Sequence, residues 1–326
     1  MSGKKTPCIP ADSEGIARAA GILGEEGLVA IPTETVYGLA GRADSEKAVA
    51  RIFAAKGRPA FNPLIVHVAN LEQAGALTDL DVKVADWYAM ESIRSDLRTY
   101  VTGVWPGPVT LVVPLRGGAP LARAVTAGLD TVALRMPAHP VARALIERTG
   151  PLAAPSANRS GFVSPTTAGH VLATLDGRID LVLDAGPTQS GVESTILKLR
   201  EDGRWRQLRA GPLDTSLYHE SHFPHDDNQP DQKIEAPGQL ASHYSPGKPV
   251  RLNAREARTD EFFIGFGTVE GDISLSNMGD LEEAAARLYA CLHEGAAASQ
   301  PRIAVAAVPE RGIGLAINDR LRRAAA

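Results

Sequence analysis

Between Leu28 and Val68 the chain runs apolar, polar, amphipathic and apolar again, a pattern that predicts a strand, a turn, a helix and a second strand. Leu28-Val29-Ala30-Ile31 is a short apolar strand, and Pro32 ends it because proline has no N–H to give to a ladder. Thr33, Glu34, Thr35 and Tyr37 therefore fall at a strand exit, followed by a turn that Gly38 and Gly41 loosen. Asp44 or Ser45 can cap the next helix, in which Ala48, Val49, Ile52 and Phe53 recur at helical spacing until Gly57 stops it. Lys56 and Arg58 stand at that helix C-terminus, where the macrodipole favours cations at the surface. This bland reading covers Lys56 better than Arg58, which Pro59 holds in extended backbone. In the strand over 64–68, Leu64, Val66 and Val68 share one face and Ile65 and His67 the other. A lone strand histidine is more often structural than a ligand. Here Thr33, Lys56, Arg58, Asn62 and His67 all sit at element ends of one unit, where open α/β sheets bind ligands.

Residues 13–26 read as a capped amphipathic helix, and residues 70–104 as helical, with Val84, Trp87 and Tyr88 on the buried side. Trp105-Pro106-Gly107-Pro108 is a rigid turn feeding a strand over 109–113. In the strand over 131–136, Val132, Leu134 and Met136 face the core, while Thr131, Ala133 and Arg135 line the opposite side. At about 3.3 Å per residue, Thr131 and Arg135 stand roughly 13 Å apart, enough to meet two ends of one elongated ligand. An arginine on an internal strand needs an anion, and a structural carboxylate satisfies it as well as a substrate does. Residues 153–158 are a strand end followed by a loop of small residues. Ser164-Pro165 reads as the N-cap and first-turn proline of a helix, a place that also attracts anions. Further strands are expected over 181–184 and 194–199, with Arg209 at a strand exit. Residues 214–239 turn polar, as a linker or flap does, and His219, His222 and His225 within them fit no standard metal-site spacing. Beyond residue 248, strand, strand, helix, strand and helix follow one another, which predicts a small α/β domain with a mainly parallel sheet.

Composition narrows the partners. A length of 326 residues suggests two domains, and 44% hydrophobic with 22% charged residues is ordinary for a chain that buries a real core. No apolar run approaches a membrane span and the first residues lack the apolar core of a signal peptide, so the expected location is the cytoplasm. Cys8 and Cys291 lie far apart with no CxxC spacing, and indicate neither a disulfide framework nor a zinc site. A net charge of −4 argues against a protein whose main business is clamping nucleic-acid phosphates. Neither a Walker A pattern nor a dinucleotide fingerprint occurs. A bound nucleotide would need cations and amides from several loops, which Lys56, Arg58, Ser156, Asn158 and Arg209 can offer.

The runs PTETVYGL (32–39), KGRPAFNPLIVHV (56–68), WPGPVT (105–110), TAGLDTVALRMPAHP (126–140), APSAN (154–158), GVEST (191–195) and LRAGP (208–212) together resemble the YrdC-like threonylcarbamoyl-AMP synthase family, in order over most of residues 10–215. HYSP (243–246) and PERGIGLAINDR (309–320) resemble its long form, which carries an extra domain. The connection over 70–104 is longer than the family usually has, and reads as a surface extension. The resemblance implies an α/β fold: a twisted mixed-sheet catalytic domain with a central cavity over 10–213, a linker or lid over 214–247, and a small Rossmann-like α/β domain over 248–326. It implies condensation of L-threonine, bicarbonate or CO2 and ATP to threonylcarbamoyl-adenylate and pyrophosphate. That product passes to the machinery that makes threonylcarbamoyl-adenosine in tRNA, with direct tRNA binding weak or absent.

Carried over by position, Thr33, His67, Arg135, the Ala154 backbone and Ser194 would hold threonine. Lys56, Arg58, Asn62, Thr131, Ser156, Asn158, Ser164, Arg209 and Tyr244 would hold ATP, with Lys56 and Arg58 as the catalytic cations and Mg2+ bound through the phosphates. Arg135 suits a bidentate clamp on a carboxylate. Threonine's amine, once unprotonated, takes up CO2 or bicarbonate, and the resulting N-carboxylate attacks the α-phosphorus. Alignment and charge neutralisation then carry the catalysis. His67 is the one candidate base by intrinsic pKa, and threonine binding is the expected role for it. Tyr244 follows the linker, so the linker is expected to close over the cavity and exclude water. An RNA-binding module is disfavoured by the acidic balance and the lack of stacking aromatics near the cations, and a carbamoyl-adenylate step as in hydrogenase maturation by the missing CxxC pairs.

Overall fold

The strand–helix–strand unit is present, with one strand more than the pattern predicted. The computed structural model describes residues 5–81, 83–85, 94–215, 234–239 and 243–326. In it β1 (Cys8–Pro10) and α1 (Ser13–Gly24) lead into β2 (Val29–Ile31), then β3 (Gly38–Arg42), α2 (Glu46–Lys56) and β4 (Ile65–His67). The stretch expected as a loosened turn is thus β3, which pairs antiparallel with β2 from Ile31↔Gly38 onward. Ser45 caps α2 by accepting the Ala48 N–H, worth about 1 kcal/mol, and Gly57 ends it at φ 60°, where a side chain would be strained.

The described residues of 70–104 are not mainly helical. They form α3 (Leu71–Gly75), an antiparallel hairpin of β5 (Lys83–Ala85) and β6 (Arg94–Asp96), and α4 (Leu97–Thr102). Three-residue strands are too short to impose an alternation on the sequence, and that is why the period misled. Trp87 and Tyr88 lie outside the described residues, as do His219, His222 and His225 and most of the expected linker.

The chain continues with β7 (Val109–Pro114), β8 (Thr131–Arg135), α5 (Pro140–Thr149), β9 (Leu152–Ala153), α6 (Ala168–Leu175), β10 (Leu181–Asp184), β11 (Thr195–Leu199) and β12 (Trp205–Arg209). The strands make one mixed sheet in the order β1-β10-β2-β3-β9-β4-β8-β7-β11-β12. Leu64, Val66 and Val68 join Val132, Leu134 and Met136 in the main core, so the opposite faces of β4 and β8 are left to build something else.

Beyond residue 248, β13 (Val250–Ala254), β14 (Glu261–Gly265), β15 (Ile273–Ser274) and β16 (Arg302–Ala306) form a second, parallel sheet in the order β13-β16-β14-β15, accompanied by α7 (Leu281–Ala297) and α8 (Gly314–Ala325). The predicted alternation holds, and the two-residue β15 was not foreseen. Its hydrophobic core also takes in Val36, Val163, Val192 and Tyr244, so the small domain is packed onto the large one through shared apolar contacts. Among the described residues no helix is long and apolar enough to cross a membrane.

Candidate active site

Parallel pairing of β4 with β8 sets Ile65 beside Ala133 and His67 beside Arg135. The non-core faces of these strands become one wall of a cavity lined by both polar and apolar groups. The β2–β3 turn supplies Thr33 and Thr35, the loop after β9 supplies Ala154 and Ser156, and the approach to β11 supplies Glu193 and Ser194. Arg58, Arg209 and, from the segment before β13, Gly238, His243 and Tyr244 close the rest.

Of the residues nominated from sequence, Thr33, Arg58, His67, Arg135, Ala154, Ser156, Ser194, Arg209 and Tyr244 line this one cavity. Lys56, Asn62, Thr131, Asn158 and Ser164 do not. Lys56 stands immediately behind the wall, 2% exposed, its ammonium donating to the Ser156 and Asn158 carbonyls at 2.5 and 2.6 Å. A surface dipole role is thereby excluded for it. Asn62 Oδ1 accepts from Arg58 at 2.7 Å, and Asn158 Nδ2 donates to the Arg159 and Phe162 carbonyls, so both shape loops at the rim. Thr131, half-buried at the start of β8, lies away from the lining.

Ser164 corrects an expectation. The helix after it starts at Ala168 and is capped by Thr167, whose side chain accepts the His170 N–H. Ser164 Oγ is fully buried and donates instead to Glu193 Oε1 at 2.6 Å. Sequence reasoning read the serine–proline pair as a cap because local propensity carries no information about a carboxylate 29 residues away.

Arg135 meets a protein carboxylate, one of the two alternatives left open. Its guanidinium donates to Glu34 Oε1 at 2.6 Å, Thr35 Oγ1 at 2.9 Å and the Gly107 carbonyl at 3.2 Å. A guanidinium has five N–H groups, so two remain for a ligand. Burial pushes the Glu34 carboxyl up, and the Arg135 charge outweighs it and holds the group below its ordinary value. Burial, reinforced by Arg135, pushes the His67 ring down to about 3, so His67 is neutral at physiological pH; its Nδ1 is buried with no hydrogen-bond partner. Ser194 Oγ shares a 2.7 Å hydrogen bond with Thr110 and accepts from Arg209 at 3.1 Å. The Ala154 N–H is taken by the Ile65 carbonyl, which leaves its own carbonyl as the group it offers.

Lys56, Arg58 and Arg209 differ from Arg135. Among the described residues they hydrogen-bond only to backbone carbonyls, the Asn62 amide and the Ser194 hydroxyl. Burial lowers the pKa of all three, Arg58 to about 9, with Arg58 adding to the effect on Lys56 and Arg209 to that on Arg58. Mutually repelling buried cations with neutral partners are costly unless an anion joins them. The arrangement is suited to a polyanion beside a small zwitterion. Glu34, Glu193 and Arg320 lie within the matched motifs but carry no sign there of a site role, and Tyr289 lies in none of them.

The family model Sua5_yciO_yrdC, described as "Telomere recombination", matches residues 21–211, and Sua5_C, described as "Threonylcarbamoyl-AMP synthase, C-terminal domain", matches residues 207–326. The threonylcarbamoyl-AMP synthase of Bacillus subtilis is 39% identical over 95% of this chain and 92% of its own. That of Pyrococcus abyssi is 38% identical over 94% and 92%. The crystal structure of P. abyssi Sua5 complexed with L-threonine matches with a TM-score of 0.82 at 36% identity, covering 98% of this chain and 97% of that one. E. coli YciO, at 18% identity and a TM-score of 0.53, shares the fold over 66% of this chain. The chain therefore belongs to the Sua5/YciO/YrdC family, in the long form that carries the Sua5 C-terminal domain.

Proposed function

We propose that this protein is a cytoplasmic L-threonylcarbamoyl-adenylate synthase, acting on L-threonine, bicarbonate or CO2, and ATP. The observation that carries the reading is the set of buried cations around one cavity, Lys56, Arg58 and Arg209, held by neutral partners next to a separately compensated Arg135. Arg135, fixed by Glu34, offers its remaining N–H groups to the threonine carboxylate, and neutral His67, Thr33, Ser194 and the Ala154 carbonyl complete that end. The unprotonated threonine amine adds to the carbon of CO2 and releases a proton to solvent, or adds to bicarbonate with loss of water, and in either case gives an N-carboxylate. Its oxygen attacks the α-phosphorus and the bond to the β-phosphate breaks, so that pyrophosphate leaves. Arg58, Arg209 and Lys56 gather the charge that shifts onto pyrophosphate.

ATP enters as its Mg2+ complex in this reading. The one carboxylate in the cavity wall among the described residues, Glu193, is already engaged by Ser164, Tyr289 and Arg320, so the metal would ride on the phosphates. The chain divides into a catalytic domain over 10–213, a lid segment over 214–247 and a small domain over 248–326. Pro237, Gly238, His243 and Tyr244 at the cavity support the lid assignment. The adenylate passes to the tRNA threonylcarbamoyl-transfer machinery. The test is incubation with ATP, Mg2+, L-threonine and labelled bicarbonate. Threonine-dependent pyrophosphate and label in an adenylate are expected, and pyrophosphate release indifferent to threonine would defeat the reading.

A further inference from the structure

Glu193 lines the cavity, yet its two carboxylate oxygens are met mainly from outside the large domain. Ser164 Oγ donates to Oε1 at 2.6 Å, while the Tyr289 hydroxyl on α7 and Arg320 Nε on α8 donate to Oε2 at 2.8 and 3.1 Å. Arg320 is 0% exposed and 127 residues away in sequence. Its other terminal contact is Asp319 at 3.0 Å, and its guanidinium carbon stands 5.6 Å from the centre of the Tyr244 ring, which stacks on Tyr289. The approach is close in the backbone too. Gly191, at φ 68°, leaves space a Cβ could not occupy, since that atom would sit 2.3 Å from the Ala285 carbonyl oxygen on α7.

The electrostatics of such a site demand this partner. A tetraanionic nucleotide entering beside an uncompensated carboxylate would be repelled, whereas a zwitterionic amino acid of zero net charge would feel little. Ser164 carries no charge, and Arg209 acts on Glu193 only through space, its donors being spent on Ser194 and Pro237. The fully buried charge that bonds Glu193 directly comes from α8. Stability alone does not explain the pair, because buried ion pairs are no better than well-packed apolar groups in that respect.

We propose that Arg320 and Tyr289 of the C-terminal domain are positioning residues of the nucleotide subsite. They neutralise and fix Glu193, and through it Ser164 and the peptide carrying Ser194, so the small domain completes a site formed by the large one. This rests on reading the cavity as an adenylate-forming site.

The test measures ATP affinity by calorimetry and steady-state KM for ATP and threonine on the full chain. Arg320→Met is expected to raise the ATP Kd and KM about tenfold or more while the threonine KM moves less than about twofold. Adding Glu193→Gln to Arg320→Met is expected to bring the ATP values back to within about threefold of wild type, because the repelling charge is gone. Parallel loss of both substrates, or a double variant no better than the single, would mean a merely structural role and overturn the proposal. Should Arg320→Met not fold, Tyr289→Phe removes one hydrogen bond at nearly constant volume. A rise of about threefold in ATP Kd is then expected, and an unchanged value overturns the proposal. A wild type that binds ATP but releases no threonine-dependent pyrophosphate defeats the function instead, and leaves the calorimetric comparison decisive for the positioning role.

Discussion

Arg135 and Lys56 show why residue type and position underdetermine role. Both are buried cations, yet Arg135 carries its own carboxylate and Lys56 does not. Arg135→Ala is expected to raise the threonine KM by about two orders of magnitude. It also strands Glu34 as an unpaired buried charge, with a stability loss of about 3–5 kcal/mol. Urea denaturation beside threonine kinetics separates the two effects, and an unaltered threonine KM in the folded variant would refute the clamp. Lys56→Ala is expected to slow pyrophosphate release about 10²–10³-fold, the usual cost of losing one charge-stabilising donor, with threonine binding retained. Single-turnover measurement decides it, and wild-type turnover would remove Lys56 from the chemistry. The cations themselves were legible in the sequence, because their motif spacing is dense. The partners were not: Glu34 lies one residue from Thr33 in the same turn, and nothing in that turn says which carboxylate reaches Arg135.

Among elements, the segment over 234–239 is bound to the sheet by side chains the sequence did not single out. Glu235 is held by Lys198 on β11 and Arg206 on β12, and Ala236 packs against Ile65, Val112, Ala133 and Ile196. Pro237 then presents its carbonyl to Arg209. Glu235→Ala should loosen this clasp. Because the pair is partly solvated, with side-chain exposures of 18–24%, global stability should fall by only about 1 kcal/mol. ATP KM should nevertheless rise about threefold or more, and the adenylate should leave faster in a rapid gel-filtration assay. Identical product retention would argue against a lid held at this point. Long periodic elements such as α1, α2 and α7 were legible in the sequence; the hairpin of β5 and β6 and the two-residue β15 were not, since a period needs several repeats to register.

For the whole molecule, buried neutral histidines tie stability to pH. Burial pushes His67 down to about 3, and His170 and His243 to about 4, against an ordinary 6.5 in the unfolded chain. His170 also stacks on His293 across the domain contact at 3.9 Å. The folded pKa values are depressed, so below pH 6.5 the unfolded chain binds more protons. Stability is complete above that pH and is lost as pH falls toward 4 and 3, by up to about 1.4 kcal/mol per pH unit for fully buried His67. Glu193, held at about 2 by Arg320 and Arg209 against its burial, adds loss in the same direction below pH 4.5. The urea midpoint should therefore drop between pH 7.5 and 5, and His67→Asn should flatten the slope. A midpoint independent of pH in that range would contradict neutral burial.

The sequence by itself determined the local elements with caps and long periods, the order of the cationic loops, the alternation of the small parallel sheet and, through dense motifs, the family. Only the tertiary structure decided that β4 runs beside β8, so that His67 meets Arg135, and that α8 returns to place Arg320 on Glu193. Caps and periods act over a few residues and leave their mark in local spacing. Strand order and domain packing are settled by apolar surfaces and buried charges far apart along the chain, and no local pattern records which distant partner each will find.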